Sequence, residues 1–409
     1  SLIASTICQL RCPACTTTKG ITDKLLGSQT LKFANFKKFV DANPWIEHIE
    51  LGGQGEIFLN PDLLKIMKYA HEKKVSLSAV AGTNLNTINQ ETLEGLVKYQ
   101  FVFLNCSIDG ASSETYQIYR QGGNFDTVIA NIKKINELKE KYRSKLPRLQ
   151  WQFILFGHNE HEILQAKQMA LKLNMGFNFR IAWDDFSPLK NKELVKKLTG
   201  LEAVTRDEYR EKHGKVYSTE RACSQMWLQP KISADGKVLG CCMNDWGSYG
   251  NAFEESFIDI LNSERMNYAR AMLLGREKER EDIPCIQCPS YGEMKETGNW
   301  VFARAKDSLV KEEDKTLLND VTIEITNQCQ LHCQHCGIWA EKERHEISAS
   351  LALRMIKELL DHYKIYFISI TGGEPFLHKN CGRLLEALSF FQQRGEITGF
   401  GIYTNAACL

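Results

Sequence analysis

Two short stretches of the sequence carry the same arrangement of three cysteines. Each follows the pattern C-x3-C-x2-C, in CQLRCPAC at residues 8–15 and in CQLHCQHC at residues 329–336. The six cysteines are Cys8, Cys12, Cys15, Cys329, Cys333 and Cys336. Three thiolates at this spacing can hold a zinc ion or an iron–sulfur cluster. A structural zinc site takes four protein ligands, whereas each loop supplies three and leaves one position open for another ligand.

A further set of cysteines lies between the two triplets. Asp235 and Gly236 stand between two β-prone runs and predict a hairpin, and residues 257–273 are predicted to form one helix after it. Four thiols flank these elements and would complete a closed site, in which zinc fits as well as iron. They are Cys223, Cys241, Cys285 and Cys288, with Cys242 as a neighbour that could replace Cys241. The isolated cysteines, interpreted as small buried hydrophobic residues, are Cys106, Cys381 and Cys408.

The triplets belong to a longer internal repeat. Glu56 in GEIFLN is matched by Glu374 in GEPFLH, and Asn84 in GTNLN is matched by Asn405 in YTNAA. The matches occur in the same order and at nearly constant spacing, which indicates two related domains. The sequence lacks an initiator Met, and only the first three units of the second domain are present, so we expect the natural chain to extend beyond both ends of this sequence.

Short β-rich runs alternate with amphipathic helical runs in the first part of the chain. The six predicted strands span residues 2–6, 46–51, 75–81, 101–108, 149–156 and 177–183. Predicted helices span residues 61–74, 125–142 and 162–174. This alternation predicts an α/β fold whose parallel sheet curls into an open, partial (β/α)6 TIM-like barrel. Ligands bind at the carboxyl ends of the strands in such folds, where the first triplet, Glu56, Thr83 and Asp109 are all expected.

The composition is that of an ordinary globular protein, with 43% hydrophobic residues, 25% charged residues and a net charge of +1. No long basic run points to nucleic acid and no apolar run is long enough to cross a bilayer, so we expect the protein to bind neither nucleic acid nor a membrane. A cytoplasmic location follows as the default. In a reducing compartment the 14 cysteines favour metal binding over disulfide bonds.

In the combination of a C-x3-C-x2-C loop, a Gly-Glu turn and a partial barrel, the chain resembles the radical S-adenosylmethionine (SAM) enzymes. The resemblance implies that each triplet ligates a [4Fe-4S] cluster whose open iron chelates SAM. It further implies that one electron cleaves SAM to a 5′-deoxyadenosyl radical, which abstracts a hydrogen atom from the substrate. A flavodoxin or ferredoxin-type electron donor is the partner that such chemistry implies.

The resemblance also implies which residues contact SAM. Gly55 and Glu56 match the end of the family's Gly-Gly-Glu turn, with Gln54 in place of the first Gly and Ile57 in place of Pro, whereas the second domain has the complete turn. Ala14 stands where the family usually has an aromatic residue. The implied SAM-binding residues are Gly55, Glu56, Thr83, Asn84, Ser107, Asp109, Arg120, Asn159, Gly372, Gly373, Glu374, Thr404 and Asn405.

The segment from Cys223 to Cys288 is similar to the twitch, or shortened SPASM, extension of these enzymes, which holds one auxiliary [4Fe-4S] cluster for electron transfer. Enzymes with this extension oxidise sugar or cyclitol alcohols or modify ribosomal peptides. Arg180 and Asp184, at the end of the sixth predicted strand, are candidate catalytic residues for deprotonation. Solvent-facing charges at a strand end are the alternative interpretation of these two residues.

The predicted domains are a radical SAM partial barrel over residues 1–186, a twitch/SPASM-like domain over 187–290, a linker over 291–316 and a truncated second radical SAM domain over 317–409. The predicted function is that of a radical SAM enzyme acting on a small-molecule or peptide substrate. A peptide maturase and a sugar or cyclitol dehydrogenase remain open. A non-catalytic iron–sulfur or zinc scaffold is the competing class.

Overall fold

The computed structural model describes residues 1–214, 217, 219–301, 316–334, 336–338 and 343–407. The chain divides into two compact units, Ser1–Val301 and Phe302–Leu409. Cys408 and residues 302–315 of the predicted linker lie outside the described residues. The domain boundaries stay a prediction. None of the described helices is both long enough and apolar enough to cross a membrane.

A five-stranded parallel sheet forms the centre of the first unit, with the strands in sequential order. The strands are β1 His48–Glu50, β2 Ser76–Thr83, β3 Phe103–Ser107, β4 Arg148–Leu155 and β5 Gly176–Ile181. Many of their aromatic and aliphatic side chains are buried, and Trp151 and Phe153 of β4 are among the largest fully buried residues. Sequential parallel strands with helical crossovers confirm the predicted α/β class.

The first predicted strand, residues 2–6, is present as an extended segment beside β1 but not as a regular strand. The backbone N–H groups of Leu2 and Ala4 donate to the carbonyls of Glu50 and Leu51 at 2.8 and 3.1 Å. The intervening Ile3 donates to the carbonyl of Ile232 instead. Because successive N–H groups point to opposite sides, the segment joins β1 to the region around residue 232.

Two helices precede β1, helices also follow each of β1 to β4, and each helix has buried apolar side chains. They are α1 Ile21–Leu26, α2 Phe33–Ala42, α3 Leu63–Glu72, α4 Gln90–Lys98, α5 Ser113–Tyr119, α6 Phe125–Lys141 and α7 Ile163–Lys172. In α6, the Asn124 side chain caps the N-terminus by accepting from Thr127, and Val128, Ile132 and Ile135 are buried. Helices α3, α6 and α7 agree with the predicted helices to within two residues at each end.

The rest of the first unit consists of short helices around a hairpin. The helices are α8 Lys192–Thr199, α9 Arg206–His213, α10 Thr219–Leu228, α11 Phe257–Asn262, α12 Glu264–Leu273 and α13 Pro289–Thr297. The predicted hairpin is present, with antiparallel pairing of Ile232 and Val238. The prediction of one helix over residues 257–273 is wrong. Ser263 interrupts it and caps α12, its side chain accepting from the N–H of Met266.

The described part of the second unit repeats the first half of such a sheet. Its strands β6 Thr316–Glu324, β7 Tyr363–Thr371 and β8 Ile397–Ile402 are parallel and pair in sequential order. The helices α14 Ala349–His362 and α15 Cys381–Gln393 connect them. Buried isoleucines and leucines of these elements form a hydrophobic core of their own. Cys381 is buried in it, and Cys106 is buried in the first unit, as predicted for both.

Candidate functional site

A cavity of about 530 Å³ opens at the carboxyl ends of the strands in the first unit. The loops after β1, β2 and β3 line one side of it, as the topology of a parallel sheet requires. The lining residues that carry polar or sulfur atoms include Cys8, Cys12, Cys15, Gln54, Glu56, Thr83, Asn84, Ser107, Arg120, Gln152, Cys242 and Asp245. The first cysteine triplet therefore shares one cavity with several residues predicted to bind SAM.

The three thiols of the triplet sit in a mostly apolar pocket. Cys12 is buried against Leu10, Tyr119 and Phe156, and Cys8 and Cys15 pack beside it. Burial, together with the nearby thiols and Glu56, raises the pKa of Cys8 to about 11. A metal that binds these sulfurs must therefore displace their protons.

Two side chains donate hydrogen bonds to sulfur atoms of the triplet. Asn84 Nδ2 lies 3.6 Å from Cys8 Sγ, and Arg120 Nη1 lies 3.7 Å from Cys12 Sγ. The same contact recurs in the second unit, where Asn405 Nδ2 lies 3.8 Å from Cys329 Sγ. Such donors stabilise negative charge on sulfur, which suits thiolates that ligate a metal cluster.

Glu56 lies at the end of a tight turn after β1. Gly55 has a φ of +56°, and a Cβ atom there would lie 2.6 Å from the carbonyl oxygen of Ser5. Only glycine fits so close to the backbone. The N–H of Glu56 donates to the carbonyl of Ile7 at 2.7 Å, which fixes the turn against the segment that leads into the triplet.

The Glu56 carboxylate is almost completely buried and is held by three donors. The Thr83 hydroxyl donates to Oε1, as does the N–H of Phe58 at 3.3 Å, and the N–H of Asn84 donates to Oε2 at 2.6 Å. Burial raises the pKa of Glu56 above the ordinary value, although these three hydrogen bonds oppose the shift. The turn thus presents a fixed carboxylate at the edge of the cavity.

Arg120 joins the triplet to the interior of the sheet. Its Nε and Nη2 atoms each lie 2.6 Å from Asp109 Oδ2, and Asp109 Oδ1 accepts from the N–H of Ile154 at 2.7 Å. Burial disfavours the charged guanidinium, but the charges of Asp109 and Cys12 outweigh it and raise the pKa of Arg120. Asp109 itself lies behind Arg120 and does not line the cavity. Arg120 is therefore a fixed positive charge beside the thiols.

Asn159 also lies behind the cavity wall. Its Nδ2 donates to the carbonyls of Asp109 and Ile154 at 3.0 and 2.9 Å, and its Oδ1 accepts from the N–H of Phe156 at 2.9 Å. These contacts hold the loop after β4 against β3. The structure therefore places Asn159 as a support of the loop rather than in the lining of the cavity.

The candidate catalytic residues Arg180 and Asp184 are not among the residues that line the cavity. Arg180 is on β5, and Asp184 is exposed on the loop after it, where its carboxylate accepts from the N–H of Phe186 at 3.2 Å. The structure instead brings Trp183 and the segment from Cys242 to Asp245 to the cavity. The predicted hairpin could have indicated this segment, since the segment directly follows it.

The four cysteines predicted to form the auxiliary site are all buried close to the hairpin. Burial raises the pKa of the Cys223, Cys241 and Cys285 thiols, and the charges of neighbouring thiols, among them Cys288, add to the shift; the pKa of Cys241 is raised to about 12. Tyr249 Oη lies 3.7 Å from Cys285 Sγ. Cys242 differs from these four because it is exposed toward the cavity.

The second unit contains the same carboxylate turn. A Cβ atom at Gly372 or Gly373 would lie within 2.2 Å of the carbonyl oxygens of Thr326 or Gln328, so both positions require glycine. Glu374 is buried, and it accepts from the Thr404 hydroxyl and the N–H of Asn405. Of the thiols of this unit, Cys333 is exposed, whereas the corresponding Cys12 of the first unit is buried.

These residues fit a [4Fe-4S] cluster with one iron left open for SAM. Three thiols face a cavity large enough for a ligand, and the donors Asn84 and Arg120 are directed at their sulfurs. Among the described residues, no three His, Cys, Asp or Glu side chains converge on the position of a single metal ion. The four buried thiols near the hairpin fit a second, fully ligated cluster.

Comparisons with known proteins agree with this chemistry. The Radical SAM superfamily profile matches residues 2–170 and 323–409, and the SPASM iron–sulfur cluster-binding domain matches residues 223–289. Both kinds of domain bind [4Fe-4S] clusters. No curated protein sequence gives a significant match to the chain.

Two solved structures of SuiB from Streptococcus suis share the fold. One has a TM-score of 0.51 and 14% sequence identity, and the match covers 75% of this chain and 73% of that chain. The other, bound to S-adenosylmethionine, has a TM-score of 0.50 and 14% identity over 71% of this chain and 70% of that chain. Since the superfamily profile covers well over half of the sequence, the chain belongs to the radical SAM superfamily and carries a SPASM iron–sulfur cluster-binding domain.

Proposed function

We propose that the first unit is a radical SAM enzyme that reductively cleaves SAM at the cluster held by Cys8, Cys12 and Cys15. When bound, the cluster and SAM supply the 5′-deoxyadenosyl radical that removes a hydrogen atom from the substrate. The observation that carries this proposal is the fixed Glu56 carboxylate in the same cavity as the three thiols. The substrate would then lie toward the segment from Cys242 to Asp245.

The residues of the chain would hold SAM by charge and hydrogen bonding. The Glu56 carboxylate suits the amino group of SAM, and its position is fixed by Thr83 and Asn84 before any ligand arrives. The Arg120 guanidinium is a fixed positive charge that suits the carboxylate of SAM, since Asp109 holds it in place. Ser107 adds a hydroxyl at the end of β3. Both charges are preorganised, so little ordering accompanies binding.

The four buried cysteines would hold an auxiliary cluster that transfers an electron from the substrate radical. The first thiol precedes the hairpin and the second directly follows it, so the site belongs to the same segment that lines the cavity. A closed set of four thiolates leaves no position for a substrate, which favours electron transfer over substrate binding. A flavodoxin or ferredoxin-type protein would supply the electron that begins the reaction.

The test is formation of 5′-deoxyadenosine by anaerobically reconstituted protein with SAM and dithionite. The proposal expects 5′-deoxyadenosine together with an iron content of at least two clusters per chain. A protein that takes up zinc with little iron, or that holds clusters but does not cleave SAM, would instead be a scaffold. That result would contradict the proposal.

The substrate is proposed to be either a peptide or a sugar or cyclitol alcohol. Deuterium transfer into 5′-deoxyadenosine separates the two classes, because the abstracted atom is retained in that product. Deuterium from a labelled cyclitol or sugar alcohol supports a dehydrogenase. Deuterium from a labelled peptide supports a peptide maturase.

A further inference from the structure

Gln54 occupies the place in the turn that Gly372 takes in the second unit. Gly372 has a φ of +144°, and a Cβ atom there would lie 2.1 Å from the carbonyl oxygen of Thr326. In the first unit, the positive φ angles fall on Gly53 and Gly55, at +121° and +56°. The residue between them is therefore free to carry a side chain. The substitution is compatible with the turn and needs another explanation.

The Gln54 side chain extends from the turn that carries Glu56, here called the SAM turn, to the segment from Cys242 to Asp245 within the SPASM domain, here called the SPASM segment. Its Nε2 donates to Asp245 Oδ2 at 2.8 Å, and its Oε1 accepts from the hydroxyls of Thr22 and Thr16 at 3.3 and 3.4 Å. Asp245 lies four residues after Cys241 and lines the cavity. The Gln54 amide thus connects the turn that carries Glu56 with the loop that follows an auxiliary cysteine.

Lys231 holds the other oxygen of the same carboxylate. Its Nζ lies 2.9 Å from Asp245 Oδ1, and the two side chains are only 3% and 12% exposed. Lys231 belongs to the first arm of the hairpin, where its N–H donates to the carbonyl of Gly240. Two donors from separate segments therefore fix the Asp245 carboxylate, one on each oxygen. A buried charge held in this way resists displacement because each donor offsets its desolvation.

These contacts form one path from the auxiliary site to the SAM turn. It runs from Cys241 through the loop to Asp245, across to Gln54, and along one peptide unit to Gly55 and then Glu56. The second unit has glycine at the corresponding position and no side chain that could make such a contact. The unit that carries the SPASM domain is therefore the one that has glutamine at this position of the turn.

We propose that Gln54 and Lys231 are positioning residues that couple the SPASM segment to SAM binding in the first unit. With Asp245 held by both donors, the turn keeps Glu56 in the geometry that binds the amino group of SAM. When the contact to Asp245 is lost, the turn relaxes and SAM binds more weakly. The inference rests on the proposed function, since it assumes that SAM binds at this turn.

A donor–acceptor reversal tests the coupling. In Gln54→Glu, two carboxylates face each other, and the dissociation constant of SAM is expected to rise about thirtyfold, equivalent to about 2 kcal/mol. In the double variant Gln54→Glu with Asp245→Asn, the introduced amide can donate to the introduced carboxylate while the amide oxygen still accepts from Lys231. This variant is expected to return to within about threefold of the parent protein.

The measurement is equilibrium dialysis of SAM against the full, iron-loaded chain under anaerobic conditions, with iron content determined for each variant. A Cys333→Ala background reports on the first unit alone. A Cys12→Ala background reports on the second unit, where Gln54→Glu is expected to change nothing. Lys231→Met, which leaves one oxygen of Asp245 without its donor, is also expected to weaken SAM binding by the first unit. Lys295→Met, which breaks an exposed ion pair with Glu279, is the matched control and is expected to leave SAM binding unchanged.

The possible failures are distinguishable. If the Cys333→Ala protein binds no SAM at all, the proposed function of the first unit is wrong and the coupling falls with it. If that protein binds SAM equally well with and without Gln54→Glu, only the coupling is overturned. A double variant that binds SAM no better than Gln54→Glu also overturns it, because recovery is what distinguishes a specific contact from general damage to the fold.

Discussion

The backbone N–H of Asn84 donates to Glu56 Oε2 at 2.6 Å, and Asn405 donates to Glu374 Oε2 in the same way at 2.8 Å. In each unit a threonine hydroxyl, from the residue just before the asparagine, donates to the other carboxylate oxygen. Both units therefore build the same fixed carboxylate next to a cysteine triplet. This shared arrangement is the basis for the predictions about SAM binding.

Replacing Glu56 by Gln removes the charge that we expect to hold the amino group of SAM. Hydrogen bonds to charged groups contribute about 1.5–3 kcal/mol, so the affinity of the first unit for SAM should fall about tenfold to a hundredfold. Equilibrium dialysis in the Cys333→Ala background measures the change. Glu94→Gln is the control, since Glu94 is exposed and paired with Lys141 far from the cavity. Unchanged affinity in Glu56→Gln would contradict the assigned role.

Replacing Gly55 by Ala should distort the turn that carries Glu56. The added Cβ would lie 2.6 Å from the Ser5 carbonyl oxygen at a φ of +56°. Strain of this kind costs about 1–3 kcal/mol, so SAM binding by the first unit should weaken about tenfold or more. Gly292→Ala is the matched control because, apart from the adjoining backbone of its own helix, nothing lies within 4 Å of the added Cβ. Equal SAM affinity in the two variants would show that the turn does not bind SAM.

Much of the fold could be predicted from the sequence because hydrophobic periodicity and the internal repeat both reflect local geometry. Strands β1–β5 and helices α3, α6 and α7 lie within the predicted ranges or close to them. The irregularity of the first predicted strand could not be predicted from the sequence, because it depends on a hydrogen bond from the N–H of Ile3 to the carbonyl of Ile232, which is far away in the sequence. The break at Ser263 depends on a side-chain cap within a run that is otherwise helical.

The candidate site was predictable where residues follow strands and unpredictable where a distant segment folds over them. Glu56, Thr83 and the first triplet share a cavity because the ends of parallel strands meet at one edge. Asp245 and Cys242 reach the same cavity through tertiary packing: the predicted hairpin marks the segment that contains them, but no local pattern places that segment against the strand ends. Position near the end of a strand favoured Arg180 and Asp184, which are not among the residues that line the cavity.

The two units should respond differently to pH. Burial raises the pKa of Glu56, whereas the hydrogen bonds to Glu374 outweigh its burial and lower its pKa. A carboxyl group with a raised pKa loses its charge first as the pH falls. SAM binding by the first unit should therefore decline at a higher pH than SAM binding by the second. Binding titrations at decreasing pH in the Cys333→Ala and Cys12→Ala backgrounds test this order, and the reverse order would contradict it.

Replacing Arg120 by Met should destabilise the first unit, because Asp109 would remain fully buried without its cationic partner. Removing one partner of a buried ion pair costs about 3–5 kcal/mol. Adding Asp109→Asn should recover most of this loss, since the introduced amide oxygen could still accept from the N–H of Ile154. Urea unfolding of the two variants and of the parent protein gives the comparison. If the single variant is as stable as the parent protein, the ion pair does not support the fold.

The most direct test of the account is the formation of 5′-deoxyadenosine by reconstituted protein that carries Cys333→Ala, compared with the same protein that also carries Cys12→Ala. Both are incubated anaerobically with SAM and dithionite. The account predicts 5′-deoxyadenosine from the first protein and its loss, to the level without reductant, when Cys12 is also replaced. Equal amounts from both proteins, or none from the first, would contradict the claim that the first unit cleaves SAM.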